Sequence, residues 1–356
     1  MLDIQSIVIY LGMALIAFVI AVYAEQCNSK KAVWLIIILL SLLSGLRAVS
    51  VGIDTKTYDN VFSFISHGNI KELYGLEESF IYICAGLLKI WDNHQFLFLL
   101  FALTSHGLIL LRFWQDKEYI SFRWSVLTYY ITFFAFSLNG MRQFVAVAIV
   151  VYATSYLKKG KYFKYTVTML VAVLFHTSAI IGFSYIFFEI LFAKYYNQKR
   201  KIRIFLLCGL MAVAGLAIVD SFFMKYINYF DRQATSIGLM MFVKFGTIVF
   251  SLFFIKESYE EKKHIWSIYT WYYAIGLLLN SLSYFFLYTG RIGLYFYIFE
   301  ALFIGKIFKE KNRSIWIILI KFIYFVLMMY YLFEVVTKNG QGHLPYRFFW
   351  QGQEGF

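Results

Sequence analysis

Apolar stretches recur along most of the chain, and short polar segments separate them. Many are close to the roughly 20 residues that an α-helix needs to cross the hydrocarbon core of a bilayer. The pattern predicts an all-α, polytopic integral membrane bundle of about twelve transmembrane helices, within a range of about 11 to 14. The predicted crossings are residues 5–24, 33–48, 95–113, 121–138, 141–157, 162–176, 177–194, 203–219, 239–256, 265–288, 291–308 and 314–336.

One apolar run does not fit this scheme. Residues 79–91 (SFIYICAGLLKIW) are short for a crossing, and counting them as one would put every later basic loop on the other side of the membrane. We therefore predict a re-entrant or interfacial helix here, with a thirteenth crossing as the alternative. Because no polar linker or internal repeat divides the chain, we expect a single transmembrane domain over residues 1–356.

Composition and charge agree with the membrane class. The chain is 61% apolar, and its mean hydropathy is +0.67. Its net charge of +13 does not indicate a nucleic-acid partner, because the basic residues cluster in short loops between apolar runs, as cytoplasmic loops do. The basic loops are residues 25–32, 112–123, 158–164, 194–203, 256–263 and 306–313. This threading predicts outer loops at residues 47–78 and 220–238 and an outer C-terminal tail at residues 337–356.

The three cysteines offer no metal or disulfide framework. Cys27, Cys84 and Cys208 lie far apart and have neither CxxC nor Cys/His spacing. No cluster of aspartates and histidines resembles a metal site either, so we expect no metal and no cofactor.

Unusual polar residues gather at the predicted outer face. They are Arg47, Asp54, Tyr58, Arg142, Gln143, His176 and Arg291. Each has an ordinary structural explanation: an arginine can reach the lipid headgroups, a histidine can join two helices, and an aspartate can close a turn. Several cationic residues at one membrane depth nevertheless favour a binding site.

Four sequence segments around these residues resemble the EpsG-like branch of the Wzy polysaccharide polymerases. They are Arg47 with VGIDTKTY (51–58), GMRQFVAVAI (140–149), LFHTSAI (174–180) and GRIGLYF (290–296), followed by the dipeptide Pro345-Tyr346. The resemblance extends over most of the chain. Ile53 is a departure, because the family usually has a small polar residue there.

The resemblance implies a membrane glycosyltransferase with a GT-C-like architecture in the bacterial inner (cytoplasmic) membrane, its active site facing the periplasm. Such a polymerase moves a growing O-antigen, capsule or exopolysaccharide chain from undecaprenyl diphosphate to the terminal sugar of a lipid-linked repeat unit. The implied partners are the undecaprenyl-diphosphate-linked donor and acceptor and the membrane lipids. Whether a Wzz-like chain-length co-polymerase also takes part is left open.

This chemistry suggests roles for the polar residues. Arginine binds phosphate through two parallel hydrogen bonds, so we expect Arg142 and Arg291, supported by Arg47, to hold the diphosphates without a metal. His176 is the first candidate for the general base, and Asp54 is the second. Residues expected to contact sugar or to support the site are Tyr58, Gln143, Asp231, Arg232 and Tyr295. The loop 220–238 that carries two of these residues is equally compatible with an interfacial amphipathic helix.

Three other functions stay open at this point. A flippase for lipid-linked oligosaccharides also needs cationic residues, although it would spread them along a cavity that reaches both faces. An O-antigen ligase uses the same type of donor and differs in its acceptor. A membrane acyltransferase is the third alternative, and the His176-Thr177-Ser178-Ala179 segment alone does not support it.

Overall fold

The computed structural model describes residues 3–70, 73, 75–194, 244–249, 251, 263–283, 287–310 and 314–351. Regular structure in these ranges is helical, apart from one isolated antiparallel bridge between Arg47 and Phe348. The α-helices are α1 (Ile4–Gln26), α2 (Lys30–Gly45), α3 (Thr55–Ser66), α4 (Glu78–Ile90), α5 (His94–Gln115), α6 (Phe122–Ser137), α7 (Met141–Leu157), α8 (Tyr162–Phe175), α9 (Ser184–Lys194), α10 (Lys263–Leu282), α11 (Leu287–Tyr297), α12 (Glu300–Lys309) and α13 (Ile315–Thr337). A 3₁₀ helix, Thr177–Phe183, connects α8 to α9.

The chain divides into two compact units. The first contains Met1–Gly182 and Glu300–Phe356, and the second contains Phe183–Phe299. Helices α1 to α8, α12 and α13 belong to the first unit, and α9, α10 and α11 belong to the second.

The helical class is confirmed, and three helices of the described part are long and apolar enough to cross a membrane. They are Ile4–Gln26, His94–Gln115 and Ile315–Glu334. Shorter apolar helices are Met141–Leu157, Tyr162–Phe175 and Thr177–Glu189. The count of twelve crossings stays a prediction, because residues 203–219 and most of 239–256 lie outside the described residues.

Three predicted crossings are interrupted in the structure. The run 265–288 is predicted as one helix, but α10 ends at Leu282 and α11 begins at Leu287. The run 291–308 was expected to be one helix, but α11 ends at Tyr297 and α12 begins at Glu300. At this break the N–H of Phe299 donates to the carbonyl of Phe296, a tighter turn than the α-helix makes. The run 177–194 likewise starts as the 3₁₀ helix and becomes an α-helix only at Ser184.

The first unit shows where the chain segment between α2 and α5 begins and ends. Helix α2 ends and α5 begins at the same end of the unit, since the side-chain amide of Gln95 donates to the carbonyl of Arg47 at 3.2 Å. The chain between them, including α3 and α4, therefore returns to the end that it left. The re-entrant or interfacial helix at residues 79–91 stays a prediction, as does the alternative of a thirteenth crossing.

Helices α5 and α7 end together at the opposite end of this unit. There, Asp116 binds Arg112 at 2.7 Å and Lys158 at 2.8 Å, and Arg112 also donates to the hydroxyl of Thr154 at 3.0 Å. A buried charge is tolerated when it is paired in this way. These basic residues belong to the predicted cytoplasmic loops, and the network fixes the helix ends there.

The C-terminal segment folds back over the loop that follows α2. The N–H of Ala48 donates to the carbonyl of Arg347 at 2.8 Å, and the N–H of Gly52 donates to that of Gly342 at 2.6 Å. Gly52 has a φ of 97°, which favours glycine. The buried Tyr346 donates its hydroxyl to the carbonyl of Leu43 at 2.6 Å. The tail thereby holds the 47–55 loop in place.

A close approach of α2 and α5 gives a stability prediction. A Cβ added at Gly45 would lie 2.6 Å from the Cα of Leu99, so Gly45→Ala must push the two helices apart. We expect a loss of about 1–3 kcal/mol of stability, measured as a lower thermal unfolding temperature in detergent. Gly86→Ala in α4 is the matched control, because nothing lies within 4 Å of its added Cβ. Equal unfolding temperatures for the two variants would contradict this packing.

Candidate functional site

Several chain segments meet at the end of the first unit where α2 finishes. They are the loop after α2, the start of α4, the turn between α6 and α7, and the turn after α8. Their contacts bring together residues that are far apart in sequence, among them Tyr58, Arg142 and His176.

Arg142 lies in the first turn of α7 and forms an ion pair with Glu77. The side chains are 15% and 14% exposed, respectively. A helix N-terminus carries partial positive charge, so an arginine there is favourable only with an anion beside it. The guanidinium also lies 5.5 Å from the ring centre of Phe80. Arg142 forms a local anion site, which the Glu77 carboxylate occupies.

The other oxygen of the Glu77 carboxylate faces the turn after α8. Oε1 accepts hydrogen bonds from the backbone N–H of Thr177 at 3.0 Å and from its hydroxyl at 3.3 Å. It lies 3.9 Å from Nδ1 of His176. Burial alone raises the pKa of this carboxyl, but the Thr177 hydrogen bond and the charge of Arg142 bring the pKa below its ordinary value. Glu77 is therefore a carboxylate shared between the arginine and the histidine.

His176 ends α8 in an extended backbone conformation. Its Nδ1 accepts the backbone N–H of Ser178 at 3.2 Å and lies 2.7 Å from the Ser178 hydroxyl oxygen. Because Nδ1 accepts a backbone N–H, a neutral ring in this arrangement carries its proton on Nε2.

Tyr58 joins the cluster and Asp54 borders it. Burial raises the pKa of the Tyr58 phenol, although the charge and hydrogen bond of Arg142 oppose that rise. Asp54 is exposed at the start of α3, and its side chain makes no cap hydrogen bond there. The Asp54 backbone N–H lies 3.4 Å from the side-chain oxygen of Asn139, which connects this loop to the α6–α7 turn. Asp54 is thus available to solvent at the edge of the site.

Arg47 is only 2% exposed, and its hydrogen bonds connect the loop after α2 to the turn between α6 and α7. Its Nε donates to the Thr55 hydroxyl at 3.2 Å, and its terminal nitrogens donate to the carbonyls of Ser44 and, at 2.9 Å, of Leu138. A small cavity of about 10 Å³ lies on its inner side, beside His106. These hydrogen bonds hold the loops together, and the predicted contribution of Arg47 to diphosphate binding stays a prediction.

The remaining predicted residues lie within a helix of the first unit, in the second unit, or outside the described residues. Gln143 is buried within α7. Arg291 and Tyr295 belong to α11 in the second unit, where Arg291 is exposed and Tyr295 is buried. The loop 220–238, with Asp231 and Arg232, lies outside the described residues. The expected roles of these residues stay predictions.

Glu77 is the residue that sequence reasoning missed. It stands next to Glu78 just before an apolar run, where an acidic residue usually serves only the helix terminus. One feature of the sequence could have identified Glu77: it lies in the predicted outer loop that carries Asp54, and most other candidate residues at the outer face are cationic. Across the residues that the structure describes, no group of three or more His, Cys, Asp and Glu side chains is placed to hold a metal ion.

Comparison with known proteins identifies one family. The model of the EpsG family matches residues 30–348, which is most of the chain and includes every segment of the site. No curated protein and no solved structure matches the chain.

Proposed function

The chain belongs to the EpsG family of Wzy-like polysaccharide polymerases, and from this we propose that it is a membrane glycosyltransferase that uses undecaprenyl-diphosphate-linked sugars. It transfers a growing glycan from undecaprenyl diphosphate to the terminal sugar of a second, lipid-linked repeat unit. The family and the apolar helices indicate a membrane-embedded protein.

The observation that carries this proposal is the cluster of Arg142, Glu77 and His176. In this cluster, an arginine that can bind an anion lies near an imidazole, and both side chains are partly buried. A sugar diphosphate needs a cation where its leaving group gathers charge, and a sugar hydroxyl needs a nearby proton acceptor. The cluster supplies both kinds of group.

In the proposed reaction, the acceptor hydroxyl attacks the anomeric carbon of the donor glycan. A new carbon–oxygen bond forms as the bond to the diphosphate oxygen breaks, and the electron pair of the broken bond stays with undecaprenyl diphosphate. Arg142 stabilises the negative charge that grows on this leaving group. His176 receives the proton of the attacking hydroxyl, and the exposed Asp54 is placed to orient a sugar. Arg291 is proposed to bind the second diphosphate.

The proposed setting is the bacterial inner membrane, with the cluster facing the periplasm. The basic loops support this orientation because cytoplasmic loops are rich in Lys and Arg. At the opposite end from the cluster, Arg112 and Lys158 lie in two of these loops. The proposed partners are the two lipid-linked glycans and the surrounding lipids, with a chain-length co-polymerase as a further candidate and no nucleic acid.

Cysteine labelling tests the orientation. In a variant whose Cys84 and Cys208 are replaced by serine, the exposed Cys27 marks a predicted cytoplasmic loop. In the same background, with Cys27 also replaced by serine, cysteines are introduced singly as Ser50→Cys and Ser236→Cys. We expect a membrane-impermeant maleimide to label positions 50 and 236 in intact spheroplasts, and Cys27 only after permeabilisation. The reverse pattern would invert the proposed orientation.

A further inference from the structure

We propose that Glu77 gates the reaction: it occupies Arg142 until the donor diphosphate replaces it, and it then orients His176 as the proton acceptor. This inference rests on the proposed glycosyl transfer and assigns Glu77 as a positioning residue that acts through its two neighbours.

The first step of the argument concerns Arg142. Carboxylates and phosphates bind the same edges of a guanidinium, so Glu77 and a diphosphate compete for this side chain. Arg142 also keeps an unused donor, because its buried Nε makes no hydrogen bond in the structure. A diphosphate offers more acceptor oxygens than one carboxylate and can satisfy this donor as well. Substrate binding therefore favours release of Glu77 from Arg142.

The second step concerns where Glu77 remains after release. Only Oε2 pairs with Arg142, while Oε1 stays bound to the N–H and hydroxyl of Thr177. The carboxylate is therefore held beside His176 even without the arginine. Oε1 lies 3.9 Å from Nδ1 of His176, so it needs to approach by about 1 Å to make a charge-assisted hydrogen bond.

The third step concerns the histidine proton. While Nδ1 accepts the Ser178 N–H, a neutral ring carries its proton on Nε2, and Nε2 cannot accept another. A hydrogen bond from Nδ1–H to the Glu77 carboxylate selects the other tautomer and leaves Nε2 as the basic nitrogen. Nε2 then takes the proton of the acceptor hydroxyl, and Glu77 stabilises the imidazolium until the proton passes to water. The base thus becomes active only after a donor is bound.

The test separates catalysis from binding in purified protein given a defined undecaprenyl-diphosphate repeat unit. We expect Glu77→Gln to lower kcat about 10²-fold without raising the KM for the donor, because the variant loses the carboxylate but also loses the competitor for Arg142. Binding of undecaprenyl diphosphate alone should be at least as tight as in the wild type. Glu77→Asp should recover part of the lost kcat. The exposed neighbour gives the matched control, Glu78→Gln, which should behave as the wild type.

Three results would overturn the inference: an unchanged kcat in Glu77→Gln, a loss expressed only as a raised KM, or weaker binding of undecaprenyl diphosphate. Thermal unfolding checks that Glu77→Gln is folded; if it is not, the kcat and KM of Glu77→Asp decide by the same criterion. Failure of the wild type to elongate the repeat unit would instead count against the proposed function.

Discussion

Replacing Arg142 with alanine should remove long polymer from cells that otherwise make it. Arg142 combines its own charge with the N-terminal end of α7 at the point where the leaving diphosphate is proposed to bind. Removing one such donor from an active site typically costs about 10²–10³-fold in rate. Arg142→Lys keeps the charge but loses the two-pronged geometry, so it should recover only a small part of the activity. The measurement is the polymer ladder from cells that express each variant at equal levels.

The control for Arg142 lies at the other end of the same unit. Arg123 is 38% exposed and sits 3.9 Å from Glu25, so Arg123→Ala removes an arginine far from the cluster and should leave the ladder intact. Arg291→Ala tests the second proposed diphosphate ligand in the same assay. Long chains in both Arg142→Ala and Arg291→Ala cells would show that the diphosphate assignment is wrong.

Replacing His176 should be about as damaging. General base catalysis typically contributes about 10²–10⁴-fold in rate, and neither alanine nor glutamine can take up a proton at neutral pH. Glutamine keeps a polar side chain of similar size that cannot titrate, so His176→Gln separates proton transfer from simple loss of the side chain. We expect both variants to accumulate single repeat units.

His67 provides the matched control for this experiment. It is an exposed histidine at the end of α3, in the same predicted outer loop as Asp54, and its ring contacts only the local carbonyl of Ser63 among the contacts described. His67→Gln should retain a full polymer ladder. If His176→Gln or His176→Ala retains long chains, the general base is a different residue.

Hydrophobic patterning predicted most helix positions well, because a membrane helix must be long and apolar regardless of its partners. It did not predict the break between α11 and α12, since no proline or glycine marks residues 298–299. The threading that the basic loops imply stays a prediction. Hydrophobic patterning therefore predicts which segments are long and apolar better than it predicts how one helix joins or packs against the next.

The candidate site was predicted only in part. Arg142, Tyr58 and His176 stood out as polar groups near helix ends, and the structure brings them together. Glu77 did not stand out, because its contacts with Arg142 and Thr177 join residues that are 65 and 100 positions apart. Arg47 donates hydrogen bonds to backbone carbonyls and so holds the loops together, and its predicted support of diphosphate binding stays a prediction. Long-range pairing of this kind leaves no periodic signal in one sequence.

Elongation of a defined substrate by the purified protein tests the central claim most directly. The protein, in lipid vesicles, is given an undecaprenyl-diphosphate repeat unit of the host glycan, and the products are separated by size. The account predicts dimers and longer chains together with release of undecaprenyl diphosphate, and their loss in Arg142→Ala and His176→Ala. Movement of the intact repeat unit across the vesicle membrane without any elongation would contradict the account and identify a flippase.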